Sequence, residues 1–90
     1  MRVARAIENK LNGGLTPARL EITDESARHQ GHAGARPEGE SHFQVTVVSA
    51  KFEGMSRVER QRLVYRLLAE EMKTDIHALA LTTRTPGEDV

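Results

Sequence analysis

The chain has no cysteine and no tryptophan, only one tyrosine and two phenylalanines, and no excess of charge of either sign. Without cysteine it forms no disulfide framework, offers no thiolate nucleophile, and brings no sulfur of its own to zinc or to an iron–sulfur cluster. That fits a reducing compartment, and a cytoplasmic location is expected. Lys and Arg together number 13, as do Asp and Glu, so the overall field is not that of a nucleic-acid binder. Phosphate recognition would have to come from a local patch. No apolar run approaches the roughly 18 residues of a spanning helix. The opening stretch, Met1 to Leu11, lacks the apolar core of a secretory signal, so no membrane role is expected. A glycine-rich phosphate loop, a GxSxG elbow and an internal repeat are absent as well.

What is present suits a single small domain over residues 1–90, with a thin and mainly aliphatic core. Val3, Ile7 and Leu11 recur at helical spacing, which predicts a short helix from Arg2 to Leu11, stopped by Asn12-Gly13-Gly14. Leu20 to Asp24 alternates apolar and polar residues, as a half-buried strand does. His42 to Ser49 alternates again, with Phe43, Val45 and Val47 on one face. Between these strands, residues 27–41 hold no apolar period, three glycines and one proline. A loop of that length inside a compact domain is expected to be mobile and functional. Ser56 and Glu59 have the capping-box spacing that opens a helix. Leu63, Val64, Leu67, Leu68 and Met72 carry that helix from Arg57 to about Met72. Ile76 to Thr83 reads as a last strand, and residues 86–90 form a polar tail. The order helix, strand, strand, helix, strand buries these stripes most simply in one sheet with helices on one face.

Two constellations could carry chemistry. The first is the four histidines, His29, His32, His42 and His77, since imidazole binds iron and zinc. On spacing alone, a loop histidine is as well read as solvated, and a strand-end histidine as packing. A closed structural zinc site normally fills four positions and often draws on Cys, which argues against His29-x-x-His32 as its nucleus. The second is the run Arg57, Arg60, Arg62 and Arg66, which could meet phosphates or could be the solvated face of an amphipathic helix. No nucleophile and base can be paired, so no enzymatic activity is expected.

Taken in order, five motifs resemble the BolA family. They are Asp24-Glu25-Ser26-x-x-His29, Ser41-His42-Phe43, Val47-Val48-Ser49-x-x-Phe52-x-Gly54-x-Ser56, Arg60-x-Arg62-x-Val64-Tyr65, and Ile76-His77-Ala78-Leu79-Ala80-Leu81 with Thr85-Pro86. The resemblance runs from about residue 3 to residue 88. It implies an α/β fold of order α-β-β-α-β, type II KH-like, with a mixed three-stranded sheet and a short extra helical turn before the long helix. It also implies a partner, a monothiol glutaredoxin of the CGFS type, in a heterodimer bridged by a [2Fe–2S] cluster. In that family His77 falls on the C-terminal ligand and His29 on the loop ligand, with His32 as the alternative. His42 falls on a position taken as structural.

One departure is Gln61, where the family usually has histidine between two arginines. On this reading the glutaredoxin and glutathione supply sulfur, and two imidazoles complete the cluster. Two histidines on one iron raise a cluster's potential. Since each must lose its proton to bind, assembly should depend on pH. The isolated chain should hold little or no iron and be a monomer or weak homodimer. The alternative role implied by the resemblance is that of a KH-like, DNA-binding transcriptional regulator, reading phosphates through Arg57, Arg60, Arg62 and Arg66. The KH clamp is a GXXG loop, and Phe52 to Ser56 contains none.

Overall fold

The computed structural model describes residues 2–25 and 42–89. Helix α1 spans Arg2–Leu15, strand β1 Arg19–Asp24 and strand β2 His42–Val48. A single 3-10 turn at Ala50–Phe52 precedes helix α2, Arg57–Leu67, and helix α3, Ala69–Thr74. Strand β3 covers Ala78–Arg84, and a second 3-10 turn at Pro86–Glu88 closes the described chain. This is the expected order, with the extra turn that the resemblance implied.

The sheet runs β1-β2-β3, with β1 antiparallel and β3 parallel to β2. Its register explains the alternation in the sequence. Ile22, Val45 and Leu81 form one lateral row, and Asp24, Phe43 and Leu79 the next. These rows face the helices, because side chains at every second position share a face. Val3, Ile7, Leu11 and Leu15 of α1 meet Phe43, Val45, Val47, Phe52, Val64 and Leu68 in one core. On the opposite face Gln44, Ala78 and Ala80 are exposed.

Three expectations need correction. Helix α1 does not stop at the glycines but continues through them to Leu15. Packing overrides propensity here. A Cβ on Gly14 would lie 2.8 Å from both terminal carbons of Leu67, so Gly14 allows α1 and α2 to approach. The helix ends instead at Thr16, whose φ of 43° is left-handed, with Pro17 next. The long second helix, in turn, is two helices. Leu68 leaves helical geometry at φ −102°, ψ 19°, and its N–H is shared by the carbonyls of Val64 and Arg66. Leu68 stays fully buried at the bend, and beyond it Glu70 and Glu71 both reach the Lys10 ammonium of α1. Strand β3 also begins two residues later than read, at Ala78.

Ser49 ties the layers together. It is fully buried, and its hydroxyl donates to Leu15 C=O at 2.6 Å and accepts from Lys51 N–H at 3.1 Å. Its own N–H donates to Arg84 C=O at 2.9 Å. One side chain thus holds the end of α1, the end of β2 and the end of β3.

Candidate functional site

Parallel pairing sets the starts of β2 and β3 side by side, with His42 opposite Ala78. His77, one residue earlier, therefore stands next to His42. Their ring centroids are 6.1 Å apart, with the planes at 70° in an edge-to-face arrangement. Two anchors fix His77 there. Glu71 C=O accepts from both Asp75 N–H and Ile76 N–H at 2.8 Å, which ends α3. The Ile76 side chain is buried, and His77 is the exposed residue that follows. His42 is half-buried and closes the base of the β1–β2 hairpin, its carbonyl accepting from Glu25 N–H at 2.7 Å.

His29 and His32 lie outside the described residues. Both belong to the stretch that leaves the chain at Glu25 and rejoins it at His42, beside His77. Among the described residues, no group of three or more His, Cys, Asp or Glu side chains gathers where a metal ion could sit. The pair His42 and His77 is thus the imidazole concentration that the described fold creates. Sequence reasoning treated His42 as structural. The available signal was its place at the head of one strand and that of His77 at the head of another, but only parallel register turns that into proximity.

The arginine run divides. Arg60 is turned inward. Its guanidinium grips Glu88 through two bonds of 2.7 and 3.2 Å, donates to Met55 C=O at 3.1 Å, and sits 5.9 Å from the centre of the Phe52 ring. Only 11% of its side chain is exposed. Arg60 and the Thr85 N–H together hold the Glu88 carboxyl at a pKa of about 2. Arg57, Arg62 and Arg66 are exposed. The capping box is formed as read: Ser56 N–H donates to the Glu59 carboxylate at 2.7 Å and Glu59 N–H to Ser56 Oγ at 3.1 Å. Those bonds lower the Glu59 pKa.

Comparison with known proteins extends these observations. A family model described as BolA-like protein matches residues 11–88. "Protein BOLA1, chloroplastic" of Arabidopsis thaliana is 48% identical over 87 residues, which is 94% of this chain and 54% of that protein, so the chain spans about half its length. "DNA-binding transcriptional regulator BolA" of Escherichia coli is 46% identical over 88 residues, 98% of this chain and 80% of that protein. The solved structure of BolA1 from Arabidopsis thaliana superposes with a TM-score of 0.86 at 46% identity, covering 97% of this chain and 95% of that one. No helix among the described residues is long and apolar enough to cross a membrane.

Proposed function

The chain belongs to the BolA family, and from that premise we propose that it is a non-enzymatic partner of a monothiol CGFS glutaredoxin, sharing a bridging [2Fe–2S] cluster in iron–sulfur trafficking or iron-status signalling. The observation that carries this reading is the pair of imidazoles at the root of the 26–41 stretch: exposed His77, with His42 at 6.1 Å between centroids. On this reading His77, exposed at the head of β3, is one ligand, and His29 or His32 the second. Chain length permits either. From Glu25 the backbone reaches at most ~14 Å to His29 and ~25 Å to His32. Among the described residues the donor set fits a shared site better than a closed one, since His77 and His42 alone cannot fill an iron pair's coordination. The remaining ligands come from the glutaredoxin cysteine and glutathione.

The cluster supplies a redox-active iron–sulfur unit that can pass between proteins. This chain's residues do three things towards it. His77 offers an exposed imidazole. The half-buried His42 sets a second imidazole edge-to-face with that ring. The bonds that end α3 hold the ring's backbone still. The compartment follows the partner, and the proposed one is the cytoplasm; the Arabidopsis relative is chloroplastic by name.

The test is reconstitution of the chain with a CGFS glutaredoxin, glutathione, iron and sulfide, read by visible absorption and circular dichroism. His77→Ala changes the spectrum of the mixed assembly, and so does the alanine variant of the true loop ligand, His29 or His32. Wild-type spectra from His77→Ala and from both loop variants would end this reading.

A second reading is DNA binding, favoured by the name of the Escherichia coli relative. Arg57, Arg62 and Arg66 would then contact phosphates, while Arg60 is held by Glu88. Mobility shifts across a salt series check it, since phosphate-driven affinity falls steeply as salt rises. Binding that ignores salt would contradict it.

A further inference from the structure

Among the described residues, the order β1-β2-β3 leaves one edge of β3 without a neighbouring strand. The phase of its ladder follows from a single bond, Ser49 N–H to Arg84 C=O. In the parallel register of this pair, Ala78, Ala80, Thr82 and Arg84 then bond towards β2. Leu79, Leu81 and Thr83 turn their N–H and C=O groups to the open side. None of these three makes a further backbone hydrogen bond among the described residues.

A cleft of about 550 Å³ adjoins this edge. Helix-facing Leu81 and Thr83 line it, and so do Thr82 and Arg84, which point to the other face. It therefore follows the edge of the sheet rather than either surface. Arg57, Arg60 and Gln61 of α2 border it, together with Glu88. The charges do not balance. Arg60 neutralises Glu88. Arg57 has no ion pair among the described residues, and Arg84 keeps only a 3.4 Å contact to Asp89, whose carboxylate is held more closely by Arg19 at 2.7 Å. A surplus of cation thus flanks a row of unmet backbone groups.

We propose that this edge takes an extended, carboxylate-bearing peptide segment of a partner protein as a fourth strand. Three features select that occupant. The edge offers donors and acceptors in alternation, which a peptide backbone matches and a phosphodiester, an acceptor only, does not. The cleft has no aromatic lining on which bases could stack. The surplus arginines suit Asp or Glu at alternate positions of the added strand. Exposed edges are normally blunted by lysine, proline or a bulge; β3 carries no lysine or proline and its register is unbroken. The opposite edge, at β1, adjoins a smaller cleft of about 300 Å³ whose lining holds one charge of each sign, Arg5 and Glu8. This inference does not rest on the histidine reading, and either can fail without the other.

The experiment titrates the full, ¹⁵N-labelled chain with a blocked peptide of about seven residues alternating Glu with Val, near the usual length of a strand. Amide signals of Leu79, Leu81 and Thr83 should shift and their hydrogen exchange slow, while Leu20 to Ile22 stay unmoved. The same peptide N-methylated at alternate residues should bind about tenfold more weakly, because the backbone bonds are lost. Arg57→Gln should weaken binding up to about fivefold, the scale of one exposed ion pair. Equal affinity for the N-methylated peptide, no change at the three amides, or a response of those amides to oligothymidylate alone would each overturn the proposal.

Discussion

At the scale of single residues, Ser49 and Thr16 carry more of the structure than their chemistry suggests. Ser49 Oγ bonds both the Leu15 carbonyl and the Lys51 N–H, so Ser49→Ala deprives each of that bond. The expected loss is about 1–3 kcal/mol, measured by denaturant unfolding. Thr16 works in the opposite sense. Its left-handed φ of 43° strains a β-branched residue. Thr16→Gly removes that strain but loosens the unfolded chain, leaving a net gain of about 0.5–1 kcal/mol. A loss on that substitution would mean the turn is not left-handed. Neither role was legible beforehand. Ser49 stood inside a motif without an assigned task, and Thr16 followed two glycines that looked like the natural stop.

Elements were legible wherever the pattern was periodic and local. The alternation of β2 and the Ser56–Glu59 box predicted what formed, since each depends on neighbours a few residues apart. The end of α1 was not, because Gly14 serves a contact with Leu67, 53 residues on in the chain. The two glycines should therefore part company on mutation. Gly13 has nothing within 4 Å of an added Cβ, so Gly13→Ala raises stability by about 0.5–1 kcal/mol through helix propensity. Gly14→Ala must push Leu67 aside and gains less or nothing. Equal gains in thermal unfolding would remove the close approach from the account. The pairing of His42 with His77 was hidden for the same reason, since it arises from parallel register across 35 residues of sequence.

For the whole molecule, the C-terminal turn acts as a clasp. Glu88 binds Arg60 of α2, and Asp89 binds Arg19 of β1 and Arg84 of β3. Asp89 is lowered by Arg19 first and Arg84 second, and Glu88 by Arg60 first. A carboxylate whose pKa falls on folding stabilises above its unfolded value and loses that contribution as acid protonates it. The Tm difference between wild type and Glu88→Gln is therefore full near neutral pH and shrinks from about 4.5 down to about 2. A difference that stays constant over that range would show that the clasp does not depend on the carboxylate. The clasp also explains why Arg60 drops out of the exposed basic set, which no local pattern could reveal.

The proposal that His77 is an iron ligand in a mixed assembly with a glutaredoxin is open to one direct measurement. Pulsed electron paramagnetic resonance of the reduced cluster in that assembly reads it directly, because an imidazole nitrogen bound to iron carries a hyperfine coupling of its own. Two such nitrogen couplings are predicted for wild type and one for His77→Ala. A reduced cluster without bound-nitrogen coupling, or one whose couplings survive that substitution unchanged, would contradict it.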